Sequence, residues 1–531
     1  MPFDFNETTS VSMMNKQKYI HYIVVVSFLF MLPIFADGQY VSTPIYNALN
    51  INTQKKYTIQ YLAEAKEIYS GNQYNYYWLT KDKKNVQSFL LLIKSSPYLG
   101  LDSNHYEIKI IKNLLEKNQS LIDSVNTDIK ITNAIIRFVH DVLIGIEHKE
   151  IQYNGIKYNP SCYLIAPIVK DCLLEKRIGS LLNKIESKDP AYQSVKKYLL
   201  SYLTIISNNL FIEAPVKSSI VNTYNKPLIN RLYQLGYLST DSTHLTELDI
   251  KNSVKKAQEA FGLINDGRLR STTLVALNKP ITYRIKELSE TLNAIRWISC
   301  IKNNSTILIV NIPSATLLLY ELGKLILESK IITGKKSTPT PTLASNINEV
   351  ILYPYWHIPY KIATTELLPA IKRNAHYLSS NQLEVLTNQG KVTNPQTINW
   401  HQLSSAYFPY SLRQLTGCNN SLGIYKFNFY NPFSVYLHDT PGKHLFSMNK
   451  RYFSHGCIRV EKPNELAYYI LPDNHLAIDT VIAKGCVKNQ APINIPVSKK
   501  VSVFVLYHTA WINNKNNVVF YEDIYNKNVF N

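Results

Sequence analysis

The chain has 531 residues, 45% of them apolar, and Lys+Arg exceed Asp+Glu by 57 − 38 = 19, for a sequence pI near 9.3. That is room for roughly two to four domains with ordinary cores. The basic excess invites an anionic partner, but no RNP-type, zinc-finger or helix-turn-helix pattern is present and the lysines are dispersed. Nucleic acid is therefore disfavoured against an anionic cell wall, or against a plain bias toward Lys, Asn, Ile and Tyr.

In chain order, Lys16, Lys18 and His21 precede an apolar run from Ile23 to Phe35, and Ala36-Asp37-Gly38 puts small residues before a cut at Gln39. This is the three-part layout of a secretory signal over residues 1–38. The run, about 13 residues, is short for a spanning helix of roughly 20; an uncleaved anchor is the alternative, and Met14 is an alternative start. Residues 45–220 read as a helical module, with apolar residues at three- and four-residue steps in Tyr57 to Tyr69, Val86 to Ser95, Ile108 to Glu116, Asp128 to Ile144 and Ala191 to Leu203. No catalytic group stands out there. Residues 225–282 read as three short amphipathic helices with stops at Gly236, Gly262 and Gly267, followed by a helical connector from Arg284 to Trp297. Thr306 to Asn311, Thr316 to Glu321 and Leu325 to Thr333 are strand runs that open a β-rich domain over 303–486. Within it, 360–400 turns helical again, at Thr365 to Ile371 and Gln382 to Thr387. A tail, 487–531, holds strand runs from Val501 to Leu506 and Val518 to Tyr521.

Six cysteines stand at 162, 172, 300, 418, 457 and 486. Cys162 and Cys172 are near enough to be a candidate pair, and the absence of CxxC argues against structural zinc. Cys457 alone has a chemical context; the others read as small buried apolar residues. The alternation Phe433 to Leu437 predicts a strand ending at His438, Cys457 to Val460 a second strand, and Asn464 to Leu471 a helix. Two neighbouring strands would bring His438 and Cys457 to one pocket. A thiol is a strong nucleophile when a neighbour takes its proton or lowers its pKa, and imidazole is the usual partner. On residue types alone either histidine serves: His455, two before Cys457, would share its face on one strand. Gly456 lets a substrate carbonyl approach the N–H groups around Cys457 on the oxyanion side. Arg459 either meets a substrate carboxylate or holds the loop in an ion pair. Tyr436 and Trp356 would wall the pocket, with Ser454 and Asp439 also on the substrate side. A zinc site from His438, His455 and Cys457 lacks the usual accompanying motifs.

The series Val435-Tyr436-Leu437-His438-Asp439-Thr440 and Ser454-His455-Gly456-Cys457-Ile458-Arg459-Val460 resembles the active-site signature of YkuD-type L,D-transpeptidases, penicillin-insensitive enzymes that cross-link peptidoglycan. Further matches at Asn311-Ile312-Pro313, Gly334-Lys335, Thr340-Pro341, Pro354-Tyr355-Trp356-His357-Ile358-Pro359, Asn420-Ser421-Leu422-Gly423 and Lys426-Phe427 resemble the large, multidomain YcbB-like branch. Tyr77-Trp78, Gly100-Leu101 and Thr132-Asn133-Ala134 are similar to that branch's scaffold region. The pattern RLYQLGYL, VKKAQEAFGLINDGRL, TLVALN resembles a peptidoglycan-binding domain, with Ala257-Gln258 in place of the usual Phe-Gln.

The resemblance implies an α+β multidomain fold: helical scaffold, three-helix peptidoglycan-binding-like module, and a β-sandwich catalytic domain with a helical insertion capping the site. It implies Cys457 as nucleophile, His438 as general base, His455 as a wall or oxyanion-side residue, and a thioester formed on the third residue of a tetrapeptide stem with loss of D-alanine. Transfer to a neighbouring stem then gives a 3→3 cross-link. No cofactor is implied. The partner is peptidoglycan, stem peptides and glycan, with the enzyme a monomer in the periplasm or cell envelope and a carbapenem target. Alternatives are an L,D-carboxypeptidase or endopeptidase, attachment of an envelope protein to the stem, and a catalytically silent wall-binding protein. One departure lies at Thr416-Gly417-Cys418-Asn419-Asn420, where the branch has Pro-Gly. A Cys418–Cys457 disulfide would be an off state.

Overall fold

The computed structural model describes residues 43–50, 60–116, 120–146, 151–156, 163–208, 215–239, 244–374 and 376–527. The segment read as a secretory signal, and Cys162, lie outside the described residues. Among the described residues no helix is long and apolar enough to cross a membrane.

The three- and four-residue spacing of the N-terminal part becomes helices Leu62–Ser70, Lys84–Lys94, Ile108–Glu116, Leu121–Leu143, Ile165–Leu174 and Pro190–Ser207. Except for the last, they share one core, in which Trp78, Phe89, Ile135 and Phe138 are fully buried. Asp128 lies inside it. Its carboxylate accepts from Tyr69 Oη (2.6 Å) and from the N–H groups of Tyr77, Trp78 and Leu79 (3.2, 2.9 and 3.0 Å). Four donors offset most of what burying a carboxylate costs. Cys172 is a free thiol facing this core, and Cys300 is disulfide-bonded. The expected Cys162–Cys172 bridge is therefore absent: closeness in sequence did not bring that thiol out of its helix face.

Helices Lys226–Gln234, Glu247–Ala260 and Ser271–Leu277 follow, with Gly236 at φ +78° and Gly262 at +61° just past two of them. They are not a freestanding bundle, because their core is shared with Tyr192, Leu199, Leu288, Ala510 and Phe520. The expected connector is a 24-residue helix, Ile281–Asn304, that acts as a spine. Its buried Arg296 donates to Leu99 O (2.7 Å) and Tyr192 Oη (2.8 Å), and Trp297 meets Phe504 edge-on at 5.1 Å. One helix thus ties the helical core to the sheet.

The sheet runs in the order Tyr153–Asn154, Leu343–Leu352, Tyr425–Phe429, Leu437–His438, Ile458–Val460, Lys324–Gly334, Thr316–Glu321, Thr306–Asn311, Ile493–Leu506. Its last strand pairs parallel with Thr306–Asn311 and antiparallel with Leu343–Leu352, so the sheet closes on itself. A register break between Pro496 and Val501 lets that strand bend. Where two facing sheets were expected, one continuous sheet wraps a core that includes Leu308, Val350, Phe427, Leu437, Ile458 and Val503. The segment read as a tail supplies the closing strand. The insertion between Ile358 and Leu412 has its own small core around Ile371, Val385 and Trp400. Gln382 to Thr387, expected to be helical, contains the strand Leu383–Thr387, paired antiparallel with Tyr410–Gln414. The insertion is mixed helix and sheet rather than helical.

Candidate active site

The strand Leu437–His438 pairs parallel with Ile458–Val460, placing Leu437 opposite Ile458 and His438 opposite Arg459. On its other side His438 lies opposite Lys426. The predicted strand from Phe433 is shorter than expected, because Asn431 folds the preceding residues: its Oδ1 accepts from the Phe433 and Val435 N–H groups, each at 3.1 Å. His438 and Cys457 both line one cavity of about 720 Å³, together with Tyr436, Trp356 and Arg459.

His438 is 5% exposed, and its Nδ1 lies 2.5 Å from the Asp439 carbonyl oxygen. A carbonyl only accepts, so Nδ1 carries the proton and Nε2 keeps its lone pair. Burial, with Arg459 and Lys426 nearby, pushes the imidazole pKa down to about 3, the Asp439 hydrogen bond opposing. His438 is therefore neutral in the resting protein. Cys457 is a free, partly exposed thiol. Burial raises its pKa, while the N–H and hydroxyl of Tyr436, then Lys426 and Arg459, act to lower it. The Tyr436 hydroxyl in turn accepts a hydrogen bond from Trp356. The resting pair is thus a thiol and a neutral imidazole, with donors already set around the sulfur.

The turn carrying Cys457 is built by its own residues. Ser454 Oγ donates to the Cys457 carbonyl (2.5 Å) and accepts from the Gly456 N–H (3.1 Å). Gly456 sits at φ +120°, where a side chain would be strained although space for a Cβ exists. Its carbonyl accepts from Thr340 Oγ1 (2.8 Å), which accepts from Gly334 N–H (2.8 Å). Tyr525 braces the same loop, accepting from Thr340 N–H (3.1 Å) and donating to Gly334 O (2.7 Å).

Gly456 donates its N–H to Ser454 Oγ within the turn. Other expectations change here. Ser454 likewise has its hydroxyl committed to the turn. Asp439 does not line the cavity: its carboxylate accepts from Ile424 N–H (3.0 Å) and pairs with Lys443. The groove it fills fits glycine alone at Gly423, where a Cβ would lie 2.2 Å from Asp439 Oδ2. His455 lies in a bend between strands that end at Ser454 and begin at Ile458, so the shared-face argument does not hold. Its Nε2 meets Glu366 Oε1 at 2.7 Å instead. Among the described residues no three His, Cys, Asp or Glu side chains converge as metal ligands. Cys418 is bonded to Cys486, which leaves it no thiol for Cys457.

The sequence reading gave no role to Lys426, Glu366, Thr340 or Tyr525. Lys426 and Thr340 stood there only as matched positions. The signal that picks out Lys426 is its register opposite His438, and that needs the pairing of a strand the sequence did not reveal.

Residues 305–491 match the YkuD family, described as the L,D-transpeptidase catalytic domain, and residues 63–199 match a family described as the Scaffold domain. A Haemophilus influenzae protein named "Putative L,D-transpeptidase" is 38% identical over 219 residues, 41% of this chain and 43% of that protein, so the match spans less than half of the relative's length. Among solved structures, an L,D-transpeptidase from Mycobacterium smegmatis is 14% identical over 38% of this chain and 58% of its own, with a TM-score of 0.20. The L,D-transpeptidase (Yku) from Stackebrandtia nassauensis is 14% identical over 55% and 97%, with a TM-score of 0.20. The chain thus carries a region similar to the YkuD L,D-transpeptidase catalytic domain, at residues 305–491, and a region similar to the Scaffold domain, at residues 63–199.

Proposed function

We propose that this protein is a cysteine-dependent peptidoglycan L,D-transpeptidase that forms 3→3 cross-links outside the cytoplasm. Cys457 attacks the carbonyl of the third stem residue while His438 Nε2 takes the thiol proton. The proton passes to the departing amine of D-alanine, leaving a thioester on Sγ. A side-chain amine of a second stem attacks that carbonyl, the C–N bond forms, the C–S bond breaks, and His438 returns a proton to sulfur. The bond made is like the bond broken, so no nucleotide is consumed. Thioesters stay reactive toward amines, which suits cysteine to the step.

One observation carries the reading: a neutral, buried imidazole with its Nδ1 fixed on a backbone carbonyl lines the same cavity as a thiol that is in no disulfide. Arg459 adds support. Among the described residues its buried Nε has no hydrogen-bond partner and it forms no salt bridge, which suits a stem carboxylate better than a structural ion pair. Lys335 and Lys361 line the cavity as well, extending the attraction for an acidic stem. Export and envelope association rest on the signal-like segment, and monomeric action on the self-contained site.

The test is mass spectrometry of products after incubating residues 39–531 with disaccharide-tetrapeptide, beside Cys457→Ala. Dimers joined through third residues, absent in the variant, support the proposal. Tripeptide monomers alone point to a carboxypeptidase, and no Cys457-dependent product points to a wall-binding protein.

A further inference from the structure

The cavity carries an imbalance that donor chemistry does not explain. Its lining includes three cations, Lys335, Lys361 and Arg459. Among the described residues that line it, Glu366 is the one acid. Donor and acceptor are both stems that carry carboxylates, which the cations attract. The acceptor must also bring its side-chain ammonium up to the thioester, and that group the cations repel. An acceptor therefore needs a negative group close to the thioester.

Glu366 stands there for reasons built into the fold. It lies in a π-helical turn, Ala363–Leu367, inside the insertion that covers the site, and such turns widen a helix locally and push side chains out of register. Its Oε1 meets His455 Nε2 at 2.7 Å, and His455 is two residues from the nucleophile. Oε2 has no protein partner among the described residues, and both side chains are open to solvent, 47% exposed for Glu366 and 33% for His455. Glu366 thus lines the cavity with one carboxylate oxygen left without a partner among the described residues.

We infer that Glu366 and His455 form the acceptor subsite, binding the side-chain ammonium of the incoming stem and taking its surplus proton. This rests on the transpeptidase reading above. The carboxylate holds the ammonium; one proton leaves to the His455 imidazole, whose new charge Glu366 balances, and then to solvent. The neutral amine attacks the thioester carbonyl, forming C–N as C–S breaks, and its second proton returns through His438 to sulfur. Glu366 and His455 thus serve the second half-reaction, as His438 serves both.

The experiment uses the chain from residue 39 with disaccharide-tetrapeptide as donor and disaccharide-tripeptide as acceptor, comparing wild type, Glu366→Gln and Glu366→Asp. The inference expects the ratio of cross-linked dimer to hydrolysed tripeptide to fall about tenfold in Glu366→Gln, since a charge-assisted contact of this kind contributes roughly 1.4 kcal/mol or more. The apparent KM for the acceptor rises by a similar factor, and Glu366→Asp recovers most of the ratio. An unchanged ratio in Glu366→Gln overturns the inference. So does an equal fall of dimer and tripeptide, which would mean that Glu366 only shapes the cap. Wild type that gives no Cys457-dependent product fails the transpeptidase reading itself, a result distinct from both.

Discussion

Asp128 in the helical region and His438 in the sheet are both buried titratable groups, and their surroundings use them in opposite ways. Asp128 receives four donors at 2.6–3.2 Å, so its carboxylate is committed to holding Tyr69 and the turn at Tyr77–Leu79. Among the described residues His438 has one hydrogen-bond partner, the Asp439 carbonyl; it keeps a lone pair on Nε2 and lines the cavity. Burial alone does not mark a functional group. What marks it is burial with bonding capacity left unspent beside an accessible nucleophile.

The contrast can be broken by exchanging the two expectations. His438→Ala should lower D-alanine release by about 10²–10⁴-fold, the usual span for removing a general acid–base, while the purified protein keeps its circular dichroism spectrum. Asp128→Ala should do the reverse. It strands four buried donors and should cost about 3 kcal/mol of stability, read by thermal or urea unfolding, with the activity of the folded fraction unchanged. Loss of activity in the folded fraction of that variant would erase the distinction between the two sites.

The pH dependence of stability sharpens it further. His438 has a folded pKa near 3 against the 6.5 of an ordinary imidazole, so the unfolded chain takes up the proton first as pH falls. Its contribution to stability is complete above pH 6.5 and is lost toward pH 3, at up to about 1.4 kcal/mol per pH unit. His438→Gln should flatten the acid limb of the stability curve by that amount relative to wild type; identical slopes would contradict a buried neutral imidazole. The smallest effect is expected at Tyr436→Phe, which removes one hydroxyl donor to the sulfur. Alkylation of Cys457 at pH 8 should slow about fivefold, the equivalent of one hydrogen bond of about 1 kcal/mol. An unchanged alkylation rate would take Tyr436 out of the account.

The sequence made the local parts of this arrangement legible. Thr306–Asn311 and Thr316–Glu321 are apolar runs around a turn, and both strands formed over the predicted residues. The helices Ile108–Glu116 and Pro190–Ser207 follow their apolar spacing closely. Non-local features did not come through. Leu343–Leu352 interleaves Asn, Ser and Glu with its apolar residues and gave no strand expectation, although it pairs with three other strands. Leu383–Thr387 resembles a helical turn until Tyr410–Gln414 is laid beside it. Cys418 and Cys486 are 68 positions apart, and only the closed sheet brings them together. At the site, residue types alone named Cys457 as the nucleophile and left His438 and His455 both open as its base; the resemblance chose His438. The orientation of His455 and the jobs of Ser454 and Asp439 depend on a bend and a loop that spacing cannot describe.

The central claim is that Cys457, activated by neutral His438, forms an acyl-enzyme, and its most direct test is intact-mass spectrometry after exposure to a carbapenem. The account predicts one covalent adduct on wild type, none on Cys457→Ala, and slow adduct formation on His438→Ala. No adduct on wild type, or an equal adduct on Cys457→Ala, would contradict it.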